Sequence, residues 1–137
     1  MIKWDMNGEP DQAKVMDIDI PVMDMDWLPS GKGANEVVAV ACSDGSFKLI
    51  TKAGRVEKNI TEAHASAIIS IRWNYEGTAL ATSGEDGQIK TWSRNGMLKS
   101  AVVQGTKPIY CVVWSPENDS LLYACEKNLT IVRTLPG

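Results

Sequence analysis

The chain carries an internal repeat, and this periodicity restricts its possible folds more than any other feature. Trp27, Trp73 and Trp114 each end a run of alternating apolar and polar residues, with spacings of 46 and 41 residues. Two Asp-Gly pairs, at 44–45 and 86–87, lie 42 residues apart. The extra residues of the first interval fall in a loop at 29–36 that contains Pro and Gly. Because several independent landmarks share nearly one offset, the sequence predicts a repeated structural unit.

Within each repeat, short alternating segments are bounded by Gly, Asn, Asp and Pro, which is the pattern of half-buried strands. Four short antiparallel strands in every 40–45 residues are typical of a β-propeller blade. The sequence therefore predicts an all-β fold with about three four-stranded antiparallel blades. The predicted strands are 22–28, 36–43, 46–51, 55–60, 68–74, 78–84, 88–93, 97–103, 109–115, 120–126 and 128–134, with 2–5 and 13–19 as outer strands of a preceding blade.

We expect one partial propeller over residues 1–137. Its predicted parts are the outer strands of a preceding blade at 1–20, two blades at 21–63 and 64–105, and an incomplete blade at 106–137. Propellers close a ring of about four to eight blades, so this chain alone would not close one. The prediction is that two sheet faces stay exposed, and that the chain is marginally stable, associates with itself, or has its missing blades supplied by a longer chain.

Composition restricts the class of partner. With 44% apolar and 23% charged residues the chain is of globular type, and its net charge of −3 disfavours binding to nucleic acid. Its apolar runs are far shorter than the roughly 20 residues of a membrane span, so no membrane insertion is expected, and the first residues do not have the pattern of a signal peptide. The three cysteines, Cys42, Cys111 and Cys125, are expected to be buried free thiols in a reducing compartment.

The second repeat resembles a WD repeat. The resemblance rests on His64, Ile71–Trp73, Gly77–Leu80, Ala81–Gly87 and Ile89–Trp92, which occur in the order and spacing of that family. It implies a structural tetrad in which the Trp92 indole bonds Thr82, Thr82 bonds His64, and His64 bonds Asp86. The other repeats depart from this pattern, with Ile18 and Gly105 in place of the histidine and Ile50 and Val132 in place of the tryptophan. Those blades are expected to be held by apolar packing.

The same His, Asp and Ser residues allow a catalytic interpretation, with Ser83 or Ser66 as a nucleophile beside His64 and Asp86. The sequence has no nucleophile elbow, and its single histidine already belongs to the tetrad that the resemblance implies. The structural interpretation is therefore favoured over an enzyme.

Acidic residues and methionines cluster near the start of the first blade. Asp17, Asp19, Asp24 and Asp26 suggest calcium, but they alternate with apolar residues, and the glycine and glutamate of an EF-hand loop are missing. For the aspartates, a solvated strand edge that resists aggregation is favoured. Met16, Met23 and Met25 are expected to fill the core. The scattered lysines and arginines, Lys48 among them, are expected to be surface charge. Propeller geometry places contact loops at one rim, so the candidate residues for partner binding are Ser43, Ser66, Glu85 and Lys107.

The segments 54–58, 72–80 and 84–90 also resemble blades of the WD-repeat scaffold subunits of intraflagellar transport complex B. This resemblance implies a non-catalytic scaffold without a cofactor, whose partners are other subunits of that complex and which acts in cilium assembly and ciliary transport. It also implies localisation to the cilium, the ciliary base and the cytoplasm. The alternative is a WD-repeat adaptor of another assembly, either a ubiquitin-ligase substrate receptor or a vesicle coat.

Overall fold

The structure, a computed structural model, describes residues 16–29 and 36–134. Within these residues the chain forms only β-strands and their connections, so the all-β prediction is confirmed. No helix in this part of the chain has the length and apolarity to cross a membrane. The strands are β1 (Val22–Trp27), β2 (Val37–Cys42), β3 (Phe47–Thr51), β4 (Val56–Ile60), β5 (Ile68–Trp73), β6 (Ala79–Gly84), β7 (Gln88–Ser93), β8 (Leu98–Gln104), β9 (Ile109–Trp114), β10 (Ser120–Cys125) and β11 (Asn128–Arg133).

The strands form three separate antiparallel sheets in which every strand pairs with its neighbour in sequence. The first blade contains β1–β4, the second β5–β8, and the third the three strands β9–β11. Strand β5 packs on β1 and β2, and β9 packs on β5 and β6, so each blade meets the next through its first strand. The described residues therefore form consecutive blades of a propeller ring that they do not close.

Alternation along the strands divides the apolar residues between two inter-blade cores, because successive side chains point to opposite faces of a sheet. The core between the first and second blades includes Phe47, Leu49, Ile71, Leu80 and Trp92. The core between the second and third blades includes Ala81, Ile89, Val112, Trp114 and Leu121. The second blade thus buries both of its faces, and its stability depends on both neighbours.

The tryptophans that end the first strands of the second and third blades tie consecutive blades together. The Trp73 indole N–H donates to the carbonyl of Asp26, at 3.1 Å, and the Trp114 indole N–H donates to the carbonyl of Arg72, at 2.9 Å. In both cases the acceptor directly precedes the tryptophan of the previous blade. The repeat that is visible in the sequence is therefore also a repeat of inter-blade hydrogen bonds.

The prediction of a solvated edge is wrong for two aspartates of the acidic cluster, Asp24 and Asp26. Asp24 accepts a hydrogen bond from the backbone N–H of Ile71, and Asp26 accepts one from that of Trp73, both at 3.0 Å. These carboxylates satisfy inner-edge donors of the next blade, which have no strand partner of their own. Burial raises the pKa of Asp26, although the Trp73 N–H lowers it. In the second blade the hydroxyl of Ser70 takes the same role and accepts from Val112 at 3.4 Å.

The predicted strand at 13–19 is wrong in its described part, because residues 16–19 form no strand. The Asp17 carboxylate accepts a hydrogen bond from the Asp19 N–H at 2.9 Å, and Asp19 has a left-handed φ of 61°. This local side-chain turn competes with extended pairing. The predicted strand 2–5 and the rest of 13–19 lie outside the described residues.

Six residues differ from the structure in their predicted burial. Met16, Met23 and Met25 are exposed rather than core residues. Among the described residues no further blade packs on the side of β1 that carries Met25. Of the three cysteines only Cys42 is buried, whereas Cys111 is exposed and Cys125 is half-buried. Lys48 is buried rather than at the surface, and its ammonium donates to the side-chain carbonyl of Asn59 at 3.0 Å.

Candidate functional site

The turns between second and third strands lie at the same end of the blades as the loops that lead into the first strands. Strand pairing fixes this arrangement, because Ile68 is opposite Gly84 and Ile109 is opposite Cys125. We call this end the loop rim and define it as residues 43–46, 61–67, 85–87, 105–108 and 126–127. All four contact candidates from the sequence, Ser43, Ser66, Glu85 and Lys107, belong to it.

Four side chains of the second blade meet at the rim in one hydrogen-bonded chain. The Nδ1 of His64 lies 3.0 Å from a carboxylate oxygen of Asp86, and its Nε2 lies 2.7 Å from the Thr82 hydroxyl. The Trp92 indole N–H donates to the same hydroxyl at 2.9 Å. The structure thus brings together all four residues of the tetrad that the WD resemblance implies.

With a neutral imidazole, donor and acceptor chemistry allows one proton arrangement in this chain of bonds. A carboxylate only accepts, so His64 Nδ1 carries the proton and donates to Asp86. The neutral Nε2 then accepts from the Thr82 hydroxyl, whose oxygen accepts from Trp92. Every polar atom is satisfied with neutral His64, and among the described residues no buried side-chain nitrogen or oxygen lacks a partner.

Burial sets the titration of the tetrad. It lowers the pKa of His64 below the usual 6.5, although the neighbouring Asp86 carboxylate acts in the opposite direction. For Asp86, burial raises the pKa. The contact with His64 and the hydrogen bonds from the N–H groups of Ala65 and Gln88 together lower it by more, so the net shift of the pKa is downward. The folded state therefore favours a neutral imidazole beside an ionised carboxylate.

We predict that acid destabilises the fold through His64. Its pKa is lower in the folded state than in the unfolded state, so the unfolded chain binds the proton first, and the free energy of unfolding falls as pH drops below about 6.5. One such group contributes at most about 1.4 kcal/mol for each pH unit. Urea unfolding between pH 7.5 and 5.5 measures this slope. His64→Gln removes the titrating group, and a slope that persists unchanged in this variant would contradict the assignment to the chain's single histidine.

The first blade replaces the tetrad with apolar contacts. Ile18, Val40 and Ile50 occupy the positions of His64, Thr82 and Trp92, and they lie in one small apolar cluster. Asp44, at the position of Asp86, instead accepts hydrogen bonds from the N–H and hydroxyl of Ser46. In the third blade Tyr123 and Val132 pack against the second inter-blade core. These contacts agree with the apolar packing that the sequence predicts for both blades.

The rim is also held together by its backbone. The N–H of His64 donates to the carbonyl of Gly45 at 3.1 Å, and the N–H of Gly105 donates to the carbonyl of Gly87 at 2.7 Å. Both acceptors are turn glycines with positive φ, 87° and 80°. Each therefore joins the tight turn of one blade to the entry loop of the next, and a side chain at either position has no room.

The contact candidates differ in exposure. Glu85 and Lys107 are exposed, whereas Ser43 and Ser66 are half-buried. The backbone N–H groups of Ser43 and Glu85 donate to the carbonyls of Pro21 and Ala67, each at 3.0 Å, and the Lys107 ammonium lies 3.6 Å from Glu126. The rim thus presents polar side chains on a backbone that is held in place by hydrogen bonds.

The nucleophile interpretation does not fit these contacts. The Thr82 hydroxyl is hydrogen-bonded to His64 Nε2, the nitrogen that a serine nucleophile would need. The Ser83 hydroxyl is buried and donates to the carbonyl of Ile109 at 3.2 Å. Ser66 lies in the entry loop, where its carbonyl faces Gly45.

A groove that sequence reasoning missed lies away from the rim, between the second and third blades. Its volume is about 930 Å³, and its walls include Asn74, Thr91, Lys99, Trp114, Asp119 and Arg133. The walls come from two blades that are separate in sequence, so no local pattern could have identified it.

The family model for the WD domain, G-beta repeat, matches residues 56–93. Intraflagellar transport protein 80 homologs from mouse and rat are each 43% identical to the chain over 143 aligned positions, which take in all of this chain and 18% of the relative. The chain therefore contains a WD repeat, at residues 56–93. The matched WD repeat runs from β4 to β7, so it begins in the outer strand of the first blade and contains all four tetrad residues.

Other WD-repeat proteins match less of the chain. The mouse F-box-like/WD repeat-containing protein TBL1X is 34% identical over 65 residues, which are 47% of this chain and 12% of that protein. The chain therefore spans about a fifth of the length of the intraflagellar transport relatives, and a smaller share of the F-box-like one.

Proposed function

We propose that the chain is a non-catalytic scaffold element of intraflagellar transport complex B that acts in cilium assembly and ciliary transport. Its partners are other protein subunits of that complex, and it works in the cilium, at the ciliary base and in the cytoplasm. The observation that carries the proposal is the 43% identity to intraflagellar transport protein 80 homologs across the whole chain.

The geometry of the loop rim supports a binding role. A partner that docks on loops must overcome the entropy of ordering them, and loops that are already fixed reduce this cost. At this rim the tetrad fixes the turn at Asp86, and the glycine carbonyls fix the adjacent entry loops. Glu85 and Lys107 then offer charges of opposite sign on a rigid support.

The same contacts support a non-catalytic role. A general base needs an accessible nitrogen near a reacting proton. The histidine here is buried, with one nitrogen bonded to Asp86 and the other to Thr82. In this proposal the tetrad stabilises the loop and takes no part in a reaction.

A second candidate is an adaptor of another assembly, such as a ubiquitin-ligase substrate receptor or a vesicle coat. The identity to the F-box-like/WD repeat-containing protein favours it, but over less than half of the chain. A phosphate-reading receptor would need arginines that converge on one rim. Arg72 instead bonds Asp24 at the first inter-blade contact, and Arg94 pairs with Glu57 at 3.1 Å and lies over the Trp73 ring.

We expect a tagged form of the full chain to co-purify with identified complex B subunits from ciliated cells. The double variant Glu85→Lys with Lys107→Glu inverts two rim charges, and capture should fall roughly tenfold if the rim is the contact surface. Lys52→Glu changes an exposed charge outside the rim and serves as the matched control. Quantitative mass spectrometry measures the captured subunits. Absence of every complex B subunit from the wild-type sample would refute the ciliary proposal.

A further inference from the structure

The ammonium group of Lys90 joins the second blade to its own entry loop, residues 61–67. Lys90 is half-buried and lies on β7, opposite Thr82 of the tetrad. Its neighbour Ile89 belongs to the core between the second and third blades. Since side chains alternate along a strand, Lys90 lies on the opposite face, toward the first blade. There its Nζ donates to the carbonyl oxygen of Ala63 at 2.6 Å.

The carbonyl of Ala63 depends on this donor. Ala63 is 1% exposed, belongs to the first inter-blade core and directly precedes His64. Among the loop and turn hydrogen bonds of residues 16–29 and 36–134, no backbone N–H donates to this carbonyl. A buried carbonyl without a donor costs about as much free energy as a lost hydrogen bond, and a charged donor forms a stronger bond than a neutral one. Lys90 therefore satisfies a buried group that the backbone leaves without a donor.

Comparison with the first blade shows why the ammonium of Lys90 reaches the loop. The equivalent lysine, Lys48, is opposite Asn59 on the neighbouring strand and donates to its side-chain carbonyl at 3.0 Å. Lys90 is instead opposite Ala101, which has no side-chain acceptor. The same lysine position thus bonds within its own sheet in the first blade, and bonds to the entry loop in the second.

The bond lies at the start of the segment that carries two of the contact candidates. Ser66 belongs to this entry loop, and the carbonyl of Ala67 accepts a hydrogen bond from the N–H of Glu85 at 3.0 Å. Between Ala63 and Ser66, the N–H of His64 donates to the turn of the first blade. The positions of Ser66 and Glu85 therefore depend on where the loop is held at Ala63.

We propose that Lys90 is a positioning residue of the loop rim, whose ammonium group holds the entry loop at Ala63 so that Ser66 and Glu85 are presented together to a protein partner. The binding part of this inference rests on the proposed function. The part that concerns the loop rests on the contacts of Lys90 alone and is independent of the identity of the partner.

The same ammonium acts on the tetrad. Burial is the main cause that lowers the pKa of His64, and two charged groups also act on it. The Asp86 carboxylate raises this pKa, whereas the positive charge of Lys90 lowers it. Lys90 thus favours the neutral imidazole, the form in which every polar atom of the tetrad has a partner.

Amide hydrogen exchange of the full chain tests the hold on the loop. Lys90→Met removes the ammonium and keeps an unbranched side chain. Exchange at His64 and Ala65 should become roughly tenfold faster, because the loop opens more often without the bond. Exchange at Trp73, whose N–H donates to Asp26 in the same inter-blade contact, should keep its wild-type rate, which separates opening of the loop from unfolding of the chain.

Two further variants serve as controls. Lys90→Arg keeps the charge and the donors and should show wild-type exchange, which distinguishes the hydrogen bond from general packing of the side chain. Lys48→Met removes the equivalent ammonium of the first blade and should leave exchange at His64 unchanged. Because His64 is the only histidine, its NMR signal can be followed against pH without overlap. Its pKa should rise in Lys90→Met and stay at the wild-type value in the two controls.

Partner capture completes the test. Lys90→Met should capture several-fold less of the complex B subunits than Lys90→Arg does, because a loop that must be ordered on binding lowers the affinity. Wild-type exchange at His64 and Ala65 in Lys90→Met would overturn the proposal, and so would equal acceleration in Lys48→Met. If the wild-type chain captures no complex B subunit, the ciliary proposal fails, whereas exchange and titration still decide whether Lys90 holds the loop.

Discussion

Gly87→Ala is expected to lower the free energy of unfolding by about 3 kcal/mol, and Gly45→Ala by a similar amount. Both glycines have positive φ, where a Cβ costs about 1–2 kcal/mol. A Cβ at Gly87 would also lie 2.7 Å from the Gly105 carbonyl group, and one at Gly45 would overlap the His64 carbonyl oxygen. These neighbours are backbone atoms that cannot rotate away, so the overpacking adds about 1–3 kcal/mol.

Gly54→Ala is the matched control for this prediction. Gly54 also has positive φ, 92°, but a Cβ there meets nothing within 4 Å. Its substitution should therefore cost only the backbone term of about 1 kcal/mol. Urea unfolding of the three variants, followed by tryptophan fluorescence, separates the two contributions. Equal losses at Gly54 and Gly87 would show that the close approach between blades has no energetic role.

The strands could be predicted from the sequence because their signal is local. Alternation with period two and the turn residues around it depend only on near neighbours, and the eleven strands of the structure fall where this pattern places them. The tetrad could be predicted for a different reason. His64, Thr82, Asp86 and Trp92 stand at the spacings that are typical of the family. The geometry of the turn at Asp86 follows from the tetrad, because each polar atom of this buried network needs a hydrogen-bond partner.

The remaining differences come from contacts between blades, which a single strand pattern does not contain. Asp24 and Asp26 have the alternation expected of a solvated face, yet that face meets the unpaired N–H groups of β5. Met25 has the pattern of a core residue, but the blade that would cover it is not among the described residues. In both cases alternation predicts the face on which a side chain lies, whereas its surroundings depend on the neighbouring blade.

Substitution by alanine at the equivalent position of the third strand is expected to lower the free energy of unfolding by very different amounts in the three blades. Phe47, Ile89 and Leu129 occupy equivalent positions on the third strand of their blades. Phe47 is fully buried and packs edge-to-face on Trp92, with ring centroids 5.0 Å apart. Phe47→Ala should therefore cost about 3–5 kcal/mol and Ile89→Ala about 2–5 kcal/mol, because each leaves a cavity between two blades.

Leu129→Ala is the internal control of this series. Leu129 is 73% exposed, so its removal should change the free energy of unfolding by no more than about 0.5 kcal/mol at concentrations where the chain is monomeric. Urea unfolding at low protein concentration measures all three variants under one condition. A large loss at Leu129 under these conditions would mean that a further part of the same chain covers this residue. A small loss at Phe47 would mean that the first and second blades do not pack against each other.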